Sequence, residues 1–387
     1  MSDAAIFGTD GIRGTALEGW LSEPAVEALG RAAATVLGRA QSTDRICLVA
    51  HDGRASAAPL ERALARGFAA HGFATQSTGL LPTPGLAWLA ATREDAAFGA
   101  MISASHNPAS DNGIKLFARG GAKLSDEDQA EIERILQVEY AAIKAGDASA
   151  DARLSSHPEL TTAYGDHLVS LAAGGGAPLS LEGMHIAIDC ANGASSDVGP
   201  RVLKALGAQA DTLHSAPDGT NINAGCGSTE PGSLQEHVRT SGASVGIALD
   251  GDADRCLLVD ETGALVDGDA IMTILARDFV ERGLWSDRRI VATVMSNRGL
   301  HRALAPLDIG VVEVGVGDRQ VVEGLRSEGL RLGGEKSGHI IFGGKDASVF
   351  IGDGLLTGLH VLGVMARTGR PLSELMAPFR PLSLIHI

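Results

Sequence analysis

The sequence predicts an α/β protein made of three tandem, related units, each with a mainly parallel sheet, and three observations predict it. The first is a recurring pattern in which a continuous apolar run ends in a polar, glycine-bearing turn. It occurs at Ile46-Cys47-Leu48-Val49-Ala50 before His51-Asp52-Gly53, and at Ile186-Ala187-Ile188 before Asp189-Cys190-Ala191-Asn192-Gly193. The third case is Ile290-Val291-Ala292-Thr293-Val294-Met295 before Ser296-Asn297-Arg298-Gly299. Runs of this kind suit strands buried on both faces of a sheet. The second observation is that helical patterns fill the intervals. They fall at 59–71, closed by Gly72, at 125–143, with Ser125 as N-cap and Asp128 three residues on, and at 269–283. The third is length, since 387 residues exceed what one core normally serves and should divide into two to four domains.

Composition narrows the class. Apolar residues make up 44% and charged residues 20% of the chain, as in ordinary soluble globular proteins. A net charge of −15 argues against nucleic acid or an anionic membrane surface as a partner, while leaving room for a local basic pocket. No apolar run approaches a membrane span, and the first seven residues lack the regions of a signal peptide. Cys47, Cys190, Cys226 and Cys256 lie far apart without metal spacing. They read as reduced thiols of a cytoplasmic protein.

Boundaries follow the small, polar stretches. Residues 145–151 read as a linker after the first unit, whereas the glycine-rich loop 174–178 falls inside the second. The expected division is 1–152 for the unit carrying a serine loop, 153–257 for the unit carrying an acidic loop, 258–372 for the third unit, and 373–387 for the remainder.

The acidic loop is Asp250-Gly251-Asp252-Ala253-Asp254-Arg255, between an apolar strand at 244–249 and another at 256–259. An extended backbone points the three alternating carboxylates to one side, roughly 7 Å apart. Two such charges repel by about 2–3 kcal/mol at an effective dielectric near 20. A cation relieves that cost, and three oxygen ligands without sulfur or nitrogen favour a hard ion, Mg²⁺ first. A solvated acidic turn is the plainer alternative. Asp250, Asp252, Asp254 and Glu261 also match an EF-hand spacing, but Arg255 stands where that loop needs glycine and strands flank it where helices belong. A metal-dependent phosphatase with Asp250 as nucleophile stays open.

The serine loop is Ser103-Ala104-Ser105-His106-Asn107-Pro108, after a predicted buried strand at 98–102. Open α/β sheets place ligands beyond the carboxyl ends of their strands. A serine hydroxyl needs a base or a polarising cation to react. His106 is its neighbour, and Lys115 follows shortly. A capped turn in which Ser103 and Ser105 bond only to backbone is the bland alternative.

Phe7-Gly8-Thr9-Asp10-Gly11-Ile12-Arg13-Gly14, the serine loop, the acidic loop and Gly334-Glu335-Lys336-Ser337-Gly338-His339 occur in this order. Together they resemble the α-D-phosphohexomutases, from residue 6 to about residue 375. The resemblance implies four domains around a central cleft, the first three being similar α/β units. It implies Ser105 as the phosphoserine, with Asp250, Asp252 and Asp254 binding Mg²⁺ and the phosphate on Ser105 as a further ligand. Arg255 would hold the phosphate, His106 and Lys115 would act as acid and base, and Thr9 and Arg13 would sit at the rim of the pocket. Glu335 and Ser337 would bind sugar hydroxyls, assisted by His339; the segment 315–319 also matches, without an assigned role. The implied reaction is Mg²⁺-dependent interconversion of glucosamine 6-phosphate and glucosamine 1-phosphate, with glucose or mannose phosphates as alternatives. A hexose 1,6-bisphosphate would prime Ser105, and the partner is a small hexose phosphate, met by a monomer or homodimer.

Two departures bear on the substrate: Lys336 stands where the family has glutamine, and 343–351 is unlike its usual turn. A third concerns the end of the chain. The fourth domain's phosphate-gripping loop has no counterpart before Ile387, and residues 381–387 do not resemble the family. A shortened chain is expected on this reading, with weakened substrate binding or a non-catalytic remnant as its consequence.

Overall fold

The computed structural model describes residues 6–8, 10–39, 45–172, 179–285, 287–343 and 349–382. Outside them lie Thr9, the 174–178 loop, residues 344–348 of the departing stretch, residues 1–5 and the terminal residues 383–387.

The first unit contains β1 (Ile12–Thr15), α1 (Glu23–Leu37), β2 (Ile46–His51), α2 (Ala57–Ala70), β3 (Ala74–Leu80), α3 (Thr83–Thr92), β4 (Ala96–Ile102), β5 (Asp111–Phe117), α4 (Asp126–Lys144) and β6 (Leu154–Ser156). Its sheet has the order β1-β5-β4-β2-β3-β6, with β4, β2, β3 and β6 parallel and β1 and β5 antiparallel to their neighbours. The predicted cap holds, for the Ser125 hydroxyl accepts from the Asp128 N–H at 3.1 Å at the head of α4. Helices α1 and α2 cross at Gly30 and Gly67, where a Cβ on Gly30 would lie 2.8 Å from the carbonyl oxygen of Leu64.

The second unit holds α5 (Glu159–Ala172), β7 (His185–Asp189), α6 (Val198–Ala205), β8 (Gln209–Leu213), α7 (Gly232–Ser241), β9 (Val245–Leu249), β10 (Cys256–Asp260) and β11 (Leu265–Val266). The third holds α8 (Gly268–Glu281), β12 (Arg289–Thr293), α9 (Arg298–Leu304), β13 (Gly310–Val314), α10 (Asp318–Glu328), β14 (Leu332–Gly334), β15 (Ile340–Phe342), α11 (Gly354–Thr368) and α12 (Leu372–Met376). Their sheets run β11-β10-β9-β7-β8 and β13-β12-β14-β15. The first sheet reaches past residue 152, because β6 pairs with β3, and the second past residue 257, because β10 and β11 pair onto β9.

The three units share hydrophobic packing. The largest apolar cluster takes in Leu48, Leu86 and Phe117 of the first unit, Ile186, Ile188 and Leu249 of the second, and Ile271, Ile290 and Leu362 of the third. Burial of this continuous surface fixes the three sheets relative to one another.

Asp353, at the head of α11, accepts the Leu356 N–H at 2.9 Å and the Tyr164 hydroxyl at 2.8 Å, so it also ties the third unit to α5. Burial pushes its carboxyl up to about 6, against the opposing pull of these two donors. A carboxyl easier to protonate folded than unfolded loses stability as pH rises from its unfolded value through about 6. Asn at this position still accepts from the backbone and has an amide to offer Tyr164. Asp353→Asn is therefore expected to gain roughly 2 kcal/mol at pH 7.5 and nothing near pH 4. Urea unfolding of chelator-treated protein at the two pH values checks this, and an equal effect at both would refute it.

Candidate active site

Three loops occupy the same place in the three units. In each, a strand that is parallel to its neighbour on one side turns back into an antiparallel partner on the other. The loops are 103–110 between β4 and β5, 250–255 between β9 and β10, and 335–339 between β14 and β15. All three meet at one cleft of about 500 Å³, beyond the carboxyl ends of β4, β9 and β14. Arg13, Ser105 and His106 line it from the first unit, Asp254 and Arg255 from the second, and Asp318, Glu335 and His339 from the third.

Ser105 stands at φ 52°, a left-handed conformation that costs energy for any residue but glycine. The surrounding bonds hold it there. Its N–H donates to Ser103 Oγ at 2.8 Å, and Ser103 Oγ donates in turn to Asp52 Oδ2 at 2.6 Å. From beneath, Arg54 donates Nε to Asp52 Oδ2 at 2.9 Å and spreads its guanidinium over the carbonyls of Ser105 at 3.0 Å, Asn107 at 2.8 Å, Asp111 at 2.9 Å and Pro108. Asn223, from the second unit, donates to the Ser105 and Asn107 carbonyls at 2.9 and 3.1 Å. The Ser105 hydroxyl is then directed to Asp250 Oδ2 at 2.7 Å, with His106 Nδ1 at 3.4 Å.

The acidic loop departs from the extended backbone expected of it. Ala253 lies at φ 56°, and its N–H closes on the Asp250 carbonyl at 3.0 Å, so a turn gathers the carboxylates. Asp250, Asp252 and Asp254 consequently bring oxygens within 4.8 Å of one another, closer than strand alternation allows. Gly251 is needed at the bend because a Cβ there would lie 2.6 Å from the Ser105 carbonyl oxygen.

The electrostatics of this turn are uneven. Burial, then Asp254 and Asp252, push the Asp250 carboxyl up to about 8. Burial raises Asp254 as well, but Lys115, His339 and Arg255 outweigh it and hold that carboxyl far below the usual range. Lys115 is held protonated well above its ordinary value, since Asp10, Asp252 and Asp254 overcome the cost of burying it. It reaches Asp10 and Asp252 at 2.8 Å and Asp254 at 3.5 Å, facing the carboxylates. His339 lies 3.5 Å from Asp254 Oδ1, and that carboxylate with Asp318 raises its pKa against burial. Asp252 Oδ1 and Asp254 Oδ1 are buried without a hydrogen-bond partner. Two unsatisfied carboxylate oxygens in a buried, all-oxygen cluster fit a hard divalent cation such as Mg²⁺.

Of the residues expected from sequence, Arg13, Ser105, His106, Asp254, Arg255, Glu335 and His339 line the cleft. Asp250, Asp252 and Lys115 lie buried beneath it. Ser337 is exposed and is not among the described lining residues, and Thr9 lies outside the described residues. The segment at 315–319 contributes Val316, Gly317 and Asp318 to the lining, and the Gly317 N–H donates to Glu335 Oε1 at 3.2 Å. Asp10, Asp52, Arg54, Lys123, Asn223 and Thr83 were not assigned a role from sequence; Asp10 lies within the motif at 7–14, and Asp52 and Arg54 lie at the turn after the first apolar run, while no local motif marks the other three. Lys123 joins Asp10, at 2.5 Å, to Asp318, so the first and third units share an ion pair at the cleft wall.

Known proteins resemble this chain along its whole described length. Phosphoglucomutase/phosphomannomutase alpha/beta/alpha domains I, II and III match residues 4–142, 162–263 and 267–382 in that order. The phosphoglucosamine mutase of Rhodococcus opacus is 46% identical over 383 residues, covering 99% of this chain and 84% of that protein. The phosphoglucosamine mutase of Moorella thermoacetica is 46% identical over 386 residues, with the same coverage of 99% and 84%. Among solved structures, a phosphoglucomutase/phosphomannomutase family protein from Burkholderia thailandensis superposes with a TM-score of 0.80 at 27% identity, over 98% of this chain and 80% of that one.

Proposed function

The chain belongs to the α-D-phosphohexomutases, the phosphoglucomutase/phosphomannomutase family, and from that premise we propose that it interconverts glucosamine 6-phosphate and glucosamine 1-phosphate. The observation that carries the reading is the junction of the serine and acidic loops, where Ser105 Oγ meets Asp250 Oδ2 at 2.7 Å at the edge of a cleft lined by all three units. The choice of amino sugar rests on the phosphoglucosamine mutases that the chain resembles.

Ser105 carries the phosphoryl group, first placed there by a hexose 1,6-bisphosphate. Its Oγ–P bond breaks as an O–P bond forms to a hydroxyl of the sugar monophosphate. The hydroxyl proton passes to His106 Nδ1 and from there to the departing Ser105 oxygen, 3.4 Å away. Burial, then Arg255 and Arg13, lower the His106 pKa and keep it the neutral base this step needs. The bisphosphorylated sugar turns over in the cleft and returns its other phosphoryl group to Ser105. Asp250, Asp252, Asp254 and the Ser105 phosphate would hold Mg²⁺, which supplies positive charge to the transferring group. Arg255 and Arg13 face that group from the cleft wall, and Glu335 and His339 meet the sugar hydroxyls, with Ser337 on the same loop. Lys115 is the protonated partner of the pair, balancing the carboxylates from below.

A phosphatase using Asp250 as nucleophile is less consistent with the geometry. Both Asp250 oxygens are engaged, Oδ2 by Ser105 and Oδ1 by the Arg255 N–H at 3.1 Å, whereas Ser105 opens on the cleft. Phosphorus NMR of the protein with glucosamine 6-phosphate, Mg²⁺ and catalytic glucose 1,6-bisphosphate tests the proposal. Glucosamine 1-phosphate should accumulate without inorganic phosphate, and faster than the corresponding product from glucose 6-phosphate or mannose 6-phosphate. Release of inorganic phosphate without isomerisation would favour the phosphatase instead.

A further inference from the structure

Asp252 belongs to the second unit, yet both groups that hold its carboxylate come from the first. Thr83 opens α3 and is 1% exposed. Its hydroxyl donates to Asp252 Oδ2 at 2.5 Å, and its backbone N–H donates to the Asp252 carbonyl at 3.0 Å. Lys115 Nζ donates to the same Oδ2 at 2.8 Å. Oδ1 is left buried without a partner, on a carboxylate that brings an oxygen within 4.8 Å of oxygens of Asp250 and Asp254.

A carboxylate has one soft rotation, and two donors converging on Oδ2 remove it. What remains is a fixed direction for the unpartnered Oδ1. Thr83 is suited to this. Its branched Cβ restricts χ1, and Pro82 and Pro84 on either side restrict the backbone that presents it. The double attachment, through hydroxyl and N–H, also sets how far the acidic loop stands from α3.

We propose that Thr83 is a positioning residue for the divalent-cation site. By capturing Asp252 Oδ2 across the boundary between the first two units, it aims Oδ1 at the cation and makes a complete site depend on their docking. The inference rests on the Mg²⁺ reading above. Partners that orient ligands in this way typically contribute about 10–100-fold to metal affinity.

The test is calorimetric titration of the chelator-treated protein with Mg²⁺, for the unmodified chain and for Thr83→Val, Thr83→Ala and Thr83→Ser, each checked for folding by circular dichroism. Thr83→Val keeps the shape and removes the donor, so its Kd for Mg²⁺ should rise about tenfold, with Thr83→Ala as the substitute should the valine not fold. Thr83→Ser restores the donor and should lie within about twofold of the unmodified chain. The dependence of turnover on Mg²⁺ should shift to higher concentration in Thr83→Val with kcat largely recovered at saturation; a purely structural defect would lower kcat at every Mg²⁺ concentration. Unchanged Mg²⁺ affinity in folded Thr83→Val and Thr83→Ala, or equal weakening in Thr83→Ser, would overturn the positioning role while leaving the cation site intact. No Mg²⁺ binding by the unmodified chain would overturn the cation reading itself, and this inference with it.

Discussion

Ser105→Ala is expected to remove mutase turnover, by on the order of 10⁴-fold or more, and to remove phosphate labelling of the protein by a hexose 1,6-bisphosphate. The loss should be chemical and not structural. The bonds that hold the loop run to backbone groups, from Arg54 and Asn223 to the carbonyls and from the Ser105 N–H to Ser103, and alanine keeps all of them. The hydroxyl gives up its hydrogen bond to Asp250 and the longer contact with His106, each worth about 1 kcal/mol or less. Peptide mass mapping after labelling separates the alternatives. Label lost in folded Ser105→Ala assigns the phosphoryl group to that serine. Label retained in the variant and found on Asp250 would defeat the phosphoserine mechanism.

Much of the frame that presents this serine was legible in the sequence, for a reason that particular strands make plain. β2, β7 and β12 are covered on both faces, so their apolar runs are unbroken and end where the chain turns polar. Those turns lie one strand connection away from the chemistry, and their repetition is the trace of three similar units. The short edge strands left no such trace. β6 is Leu154-Ser155-Ser156, too polar and brief to stand out, and the expected first boundary fell before it.

At the site, the types of residue were legible and their geometry was not. Three aspartates at alternating positions suggest a strand, but Ala253 enters the left-handed region and the turn it makes brings the oxygens closer. The groups that enforce that geometry are invisible for a related reason. Arg54 acts on carbonyls 51 to 57 positions away, and Thr83 on a carboxylate 169 positions away. The first kind of contact follows from the order of strands in one sheet and the second from how the units dock, and a local pattern encodes neither. Hydrophobic burial through the shared core places the units, and only then does each polar group acquire its partner.

Arg54 is the position where that dependence should show its largest effect on stability. Its side chain is fully buried beside the equally buried Asp52, and its five hydrogen bonds use every N–H a guanidinium has. Arg54→Leu removes them together. It leaves Asp52, whose pKa burial already raises, without its counter-charge, and takes a donor from each of four carbonyls at the serine loop, of which those of Ser105 and Asn107 keep Asn223. A loss of about 3–5 kcal/mol is expected, measured as the shift in the urea midpoint. Adding Asp52→Asn to Arg54→Leu should recover part of it, because the second change removes the stranded charge and keeps an acceptor for Ser103. A loss below about 1 kcal/mol in Arg54→Leu would mean that Asn223 and the strand ends suffice to hold the loop. Arg54→Lys then separates charge from shape. Lysine preserves the ion pair with Asp52 but has three donors on one point, so at least two of the carbonyls beneath Ser105 lose the donor that the guanidinium supplies. That variant should retain more stability than Arg54→Leu yet phosphorylate Ser105 more slowly than the unmodified chain, since what it loses is the loop conformation that brings Ser105 Oγ to 2.7 Å from Asp250. Labelling at the unmodified rate would show that the guanidinium serves stability alone and that the acidic loop by itself orients the serine.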